Sequence, residues 1–127
     1  MQKELLSIVV PVFNEAESLS ELLPAWINYC QARDWKLIIV NDGSTDETAN
    51  VISEYEDTRG VQILHHVLNR GYGGALKTGI RASTTEFTVT IDADGQHNIE
   101  DAERLLALAI EKNADLVVGK REGVREE

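Results

Sequence analysis

The feature that most constrains this chain is a repeating alternation of short β-rich runs and longer segments with helical spacing, in which each β-rich run ends in a polar motif. Leu6 to Phe13 is continuous and β-branched, as in a strand buried on both faces. Lys36–Val40, Val61–His66, Glu86–Ile91 and Asp115–Val118 repeat the pattern. Between them, Leu19, Leu22, Leu23, Trp26, Ile27 and Cys30 form one apolar stripe, and Val51, Ile52 and Tyr55 another. Such alternation predicts a mostly parallel, Rossmann-like α/β sheet with helices on both faces. Ligands of these sheets bind outside the carboxyl ends of the strands, at a topological switch point. The polar motifs therefore belong to one composite site.

The helix starts carry local signals. Asn14 with Glu17 and Ser44 with Glu47 fit capping patterns, and Asn98 is placed as the cap of a helix running to Lys112. Pro24 falls inside the first helical stretch and predicts a kink or a late start. A further helix runs to about Ala82. His65 and His66 close the third strand and are expected to pack or cap there.

Length and charge narrow the function classes. The 127 residues fit one compact domain. The expected division is an α/β domain over 1–119 and a charged tail over 120–127. Apolar runs such as Leu105–Ile110 fall well short of the roughly 18 residues of a membrane-spanning helix. The amino terminus has no signal-peptide cleavage pattern. The single cysteine, Cys30, suits a reducing cytoplasm. The expected location is cytoplasmic, at the inner face of a membrane in the full-length protein. The net charge of −10 argues against nucleic acid, whose binding rests on phosphate neutralisation by Lys and Arg. An acidic chain can still hold a small anion when a cation lies between them.

Asp92-Ala93-Asp94-Gly95-Gln96-His97 supplies a place for that cation. Two carboxylates at i and i+2 after an apolar strand can turn toward one point, and oxygen ligands suit Mg²⁺ or Mn²⁺. Such an ion can stabilise a departing diphosphate. The competing reading is an acidic turn capping the next helix. His97 either joins the metal site or faces solvent. After the second strand, Asn41-Asp42-Gly43-Ser44-Thr45-Asp46 places Asp42 where a carboxylate can accept from a base or ribose. Ser44 and Asp46 are better explained as cap and first-turn charge of the following helix. In Asn69-Arg70-Gly71-Tyr72-Gly73-Gly74-Ala75-Leu76-Lys77-Thr78, glycines permit close backbone approach and a helix start favours an anion. Arg70 and Lys77 are either anion contacts or solvated charges. Leu76 stands where both a Walker loop and a dinucleotide fingerprint need glycine. That disfavours a dinucleotide-dependent oxidoreductase.

Taken together, VVPVFNEAESL (9–19), VNDGSTDET (40–48), NRGYGGALKTGI (69–80), IDADGQHNIEDA (91–102) and DLVVGKR (115–121) resemble the family 2 glycosyltransferases, which have the GT-A nucleotide-sugar fold. The DADGQH form and GKR ending look most like the branch of dolichol-phosphate mannose synthases and related polyprenyl-phosphate glycosyltransferases. The resemblance implies that Pro11, Val12, Asn14 and Glu15 line the nucleotide pocket and that Asp42 contacts the base. It puts Asn69 and Arg70 on the wall beside the base. Lys77 joins the nucleotide-binding set. Asp92 and Asp94 match the metal and diphosphate aspartates, and Gln96 matches a further metal ligand. Arg121 matches a basic residue facing the acceptor phosphate, so Asp94 and Arg121 are the catalytic positions.

One departure is Asn41, where the family often has aspartate, and it weakens only a secondary contact. A larger one is length, since family catalytic domains extend well beyond this chain. The resulting expectation is an inverting transferase that uses a nucleoside diphosphate sugar, Mg²⁺ or Mn²⁺, and a lipid-phosphate or saccharide acceptor. The alternative is a truncated domain that binds the donor without transfer. A sheet stopping at the fifth strand would leave an open edge, and either self-association into a homo-oligomer or only marginal stability alone is expected from it.

Overall fold

The computed structural model describes residues 4–93, 98–120 and 123–126. Strands β1 (Leu6–Val12), β2 (Lys36–Asp42), β3 (Val61–His66), β4 (Phe87–Thr90), β5 (Leu116–Lys120) and β6 (Gly123–Glu126) alternate with helices α1 (Ala16–Arg33), α2 (Thr48–Ser53), α3 (Gly71–Ala82) and α4 (Asp101–Lys112) up to β5. The sheet order is β3-β2-β1-β4-β5-β6. The first five strands in that order are parallel, and β6 runs antiparallel to β5. The α/β class read from the sequence is the class observed. The sheet does not stop at the fifth strand: Val117 pairs with Glu126 and Lys120 with Gly123, so part of the segment expected as a tail forms the edge. Polar composition excludes a core position, but it suits an edge strand, where charge discourages further pairing.

Side-chain alternation along β1 divides the core. Leu6, Ile8, Val10 and Val12 pack with the stripes of α1, α2 and α4, while Val9 faces the other way with Ile38, Val40 and Ala75 of α3. Three helices thus cover one face and α3 the other. Because α4 shares the α1 face yet carries the chain in the opposite direction across the sheet, its crossover has the opposite hand from that of α1. That is an uncommon arrangement for parallel strands. On the opposite face, Gly79 lets α3 lie close: a Cβ there would stand 2.3 Å from Val9 Cγ1.

Several helix starts differ from expectation. α1 begins at Ala16 and continues through Pro24 without a late start. Pro24 is exposed, so the carbonyl it leaves unpaired faces water, while buried Leu19, Leu23, Trp26, Ile27 and Cys30 anchor the helix. Asn14 does not cap α1. It adopts a left-handed conformation with φ 53°, and Glu15 occupies the cap position, where its side chain makes no capping hydrogen bond. Nor does Ser44 cap α2, which begins only at Thr48; Asp46 Oδ1 accepts from the Thr48 N–H at 2.8 Å instead. Glu100, not Asn98, precedes α4. Burial pushes the Cys30 thiol up to about 12, which makes it a core residue rather than a nucleophile.

Candidate functional site

In this strand order the chain leaves β1 toward β2 and, after α3, returns on the other side of β1 at β4. The switch point therefore lies between the carboxyl ends of β1 and β4. A cavity of about 320 Å³ opens there. Pro11, Val12, Phe13 and Glu15 line it from the end of β1, and Asp42 from the end of β2. Asn69, Tyr72 and Ala75 contribute from the start of α3, and Asp92 and Ala93 from the end of β4. Phe13 and Tyr72 remain 44% and 45% exposed.

Asp42 is the best-held group of this cavity. It is 3% exposed, and its Oδ1 accepts from His66 Nδ1 at 2.7 Å and from the Arg70 N–H at 2.8 Å. Burial is the largest single influence on its carboxyl and pushes the pKa up. The His66 hydrogen bond, the Arg70 N–H, the attraction of His66 and the Gly71 N–H together outweigh it and hold the value below the usual carboxylate range. The carboxylate that the sequence places to accept from a base or ribose is thus itself buried. The β2–β3 register sets Asp42 opposite His66, and that pairing is what buries it.

The loops around the cavity are tied by asparagines. The Asn14 N–H donates to Ser44 Oγ at 3.0 Å, and Asn14 Oδ1 accepts from the N–H groups of Thr45 and Asp46 at 2.8 and 3.3 Å. The Glu15 N–H donates to Thr48 Oγ1 at 3.0 Å. Asn69 Nδ2 donates to the Asp42 carbonyl at 3.1 Å, and Asn69 Oδ1 accepts from the Gly71 N–H at 3.1 Å. Asn41, read as a weakened contact, is 4% exposed; its Oδ1 accepts from the Ser44 N–H at 3.1 Å and its Nδ2 lies 3.1 Å from His65 Nδ1. Its amide offers both a donor and an acceptor, which a carboxylate does not.

The structure thus brings Pro11, Val12, Glu15, Asp42, Asn69 and Asp92 together around one cavity. Asn14 stands behind it as a loop tie. Arg70 contributes its backbone N–H to Asp42 while its side chain is exposed. Lys77 is exposed in the second turn of α3 and does not line the cavity. Asp94, Gln96, His97 and Arg121 lie outside the described residues. Tyr72 is a contact the sequence reading missed: its hydroxyl donates to Asp92 Oδ1 at 2.9 Å across the cavity. An aromatic hydroxyl inside a glycine-rich helix start was the available signal. Among the described residues no three acidic, histidine or cysteine side chains cluster around a metal position, and Asp92 is the described oxygen donor on the β4 side.

Residues 7–127 match the model of the family described as Glycosyl transferase family 2. The chain belongs to that family. It is 39% identical over 110 residues to the undecaprenyl-phosphate 4-deoxy-4-formamido-L-arabinose transferase of Enterobacter sp. (strain 638), covering 84% of this chain and 34% of that protein. It is 33% identical over 128 residues to a dolichyl-phosphate beta-glucosyltransferase of Trichomonas vaginalis, covering 91% of this chain and 40% of that protein. Among solved structures, the chain superposes on S. aureus TarS with a TM-score of 0.68 at 23% identity, over 87% of this chain and 34% of that one. This is a likeness of fold. A mannosyltransferase from Pyrobaculum calidifontis, solved with GDP-Man and Mn²⁺, gives a TM-score of 0.61 at 26% identity, over 74% of this chain and 28% of that one. The chain spans less than half the length of the curated relatives it matches. Among the described residues no helix is long and apolar enough to cross a membrane.

Proposed function

We propose that this family 2 chain binds a nucleoside diphosphate sugar in the switch-point cavity and serves an inverting transfer of the sugar to a polyprenyl phosphate or a saccharide. The observation that carries the reading is a buried, ionised Asp42 lining one side of the cavity with Asp92 on the other. Asp42 suits a hydrogen-bond donor of the nucleoside, and Phe13 and Tyr72 suit its flat faces. The naming of relatives for lipid-phosphate acceptors and of a solved neighbour for GDP-Man supports the same class.

The oxygen donors fit a hard divalent ion, with Asp92, Asp94 and Gln96 as its ligands. When bound, Mg²⁺ or Mn²⁺ supplies Lewis-acid stabilisation of the diphosphate as it leaves. Asp92 is held for this by the Tyr72 hydroxyl on Oδ1. The acceptor oxygen attacks the anomeric carbon from the face opposite the diphosphate, which departs with the bonding electron pair. An acceptor phosphate is already ionised at neutral pH and needs no general base, whereas a sugar hydroxyl does. Arg121 is the residue for an acceptor phosphate.

Calorimetric titration with UDP and with GDP tests the reading. In Mn²⁺ one of them is expected to bind at least about tenfold more tightly than in chelator, a difference of about 1.4 kcal/mol. Asp94→Asn is expected to remove most of that difference. Binding that is equal with and without metal would sink the assignment. A transfer assay with radiolabelled nucleotide sugar and polyprenyl phosphate separates catalysis from donor binding alone.

A further inference from the structure

The cavity contains an arrangement that donor binding alone does not explain. His66 is 6% exposed and does not line the cavity, yet it is bonded on both ring nitrogens. Nδ1 lies 2.7 Å from Asp42 Oδ1, and Nε2 lies 2.8 Å from Thr78 Oγ1 in α3. A carboxylate only accepts, so Nδ1 carries the hydrogen of the first bond. Thr78 is itself fixed, with its Oγ1 3.1 Å from the Gly74 carbonyl one turn earlier. The ring is therefore braced against α3 on one side and against the carboxylate on the other.

Two of the bonds that hold the Asp42 carboxylate converge on one oxygen. His66 Nδ1 and the Arg70 N–H both reach Oδ1, from the end of β3 and the start of α3. A carboxylate is planar, so two donors on Oδ1 fix where Oδ2 points. Asp42 lines the cavity, and neither of these two donors takes Oδ2.

We propose that His66 is a positioning residue for nucleoside recognition: its Nδ1 bond locks Oδ1 of Asp42 so that Oδ2 meets one N–H or O–H donor of the nucleoside. The proposal rests on the nucleotide-sugar reading above. His66 touches no ligand and acts through Asp42.

Two conservative variants separate the two bonds. In H66N the amide nitrogen takes the place of Nδ1, which keeps the Asp42 bond and drops the Thr78 bond. In H66Q the amide reaches the place of Nε2, which keeps Thr78 and drops Asp42. Each loses one of two buried bonds, so their thermal midpoints are expected to fall by similar amounts. The full chain is titrated with UDP, GDP and inorganic pyrophosphate in Mn²⁺, below both midpoints. H66Q is expected to bind the preferred nucleotide at least about tenfold more weakly, as for a lost hydrogen bond to a charged group, with pyrophosphate binding unchanged. H66N is expected to stay within about threefold of wild type, well under the loss for a missing bond. Equal weakening in both variants, or pyrophosphate binding that falls in step, overturns the positioning role. Should H66Q not fold, H66N decides: retained UDP or GDP binding supports the role and a tenfold loss overturns it. A wild-type chain that binds neither nucleotide overturns the proposed function itself.

Discussion

Asp42→Ala is expected to lower the unfolding free energy by about 3–5 kcal/mol and to abolish measurable nucleotide binding. Removing a buried charged acceptor leaves its donors unsatisfied, and each orphaned donor costs about 1–3 kcal/mol. Here the substitution strands His66 Nδ1 and the Arg70 N–H together, at a position 3% exposed. Domains of this size are stable by only about 5–15 kcal/mol, so about a fifth or more of the margin goes. Chemical denaturation measures the loss, and a value under about 1 kcal/mol would show that the bonds on Asp42 do not hold the fold.

The same carboxylate sets an acid limit. Its folded pKa lies below the ordinary value, so its contribution is fully present above the unfolded pKa of about 3.9. That contribution is lost as pH falls through this value toward the folded one. Wild-type stability should therefore drop more steeply below about pH 4 than that of Asp42→Asn, which has no such group to protonate. Parallel slopes for the two proteins would show that Asp42 is not the group responsible.

The sheet was legible because its evidence is periodic and redundant. Continuous β-branched runs, each ending in a polar motif, specify parallel strands and locate the cleft together. The site's inner bonding was not legible, because the same short patterns serve local and distant partners alike. Asn14 followed by Glu17 has the form of a helix cap, yet Asn14 reaches the N–H groups of Thr45 and Asp46 in another loop. Ser44 likewise fits a cap and instead accepts from the Asn14 N–H. Asp42 and His66 meet only because the β2–β3 register pairs them, and a slip of one residue would turn the two side chains to opposite faces. Tyr72 and Asp92 belong to different elements that only the α3 crossover brings together. Polar composition also concealed β6, since edge strands tolerate the charges that central strands exclude.

Gly43→Ala is the substitution expected to damage fold and site together, at a cost of about 2–4 kcal/mol from left-handed strain plus a forced clash. Gly43 has φ +73°, a conformation a side chain disfavours. A Cβ there would stand 2.5 Å from the Asn69 nitrogen and 2.8 Å from the Leu68 carbonyl carbon. Both are backbone atoms, so no rotamer change relieves the contact and the β3–α3 loop has to move. That loop carries the Asn69 and Arg70 bonds to Asp42, so the displacement loosens the carboxylate that the cavity depends on. Gly73→Ala supplies the contrast. Gly73 lies in the first turn of α3 with open space around it, so alanine there should stabilise by about 0.5–1 kcal/mol through helix propensity. Thermal unfolding should therefore rank Gly73→Ala at or above wild type and Gly43→Ala well below both, with nucleotide affinity reduced only in Gly43→Ala. If the two alanine variants unfolded at the same temperature, close approach of the β2–α2 and β3–α3 loops would not be what builds this side of the cavity.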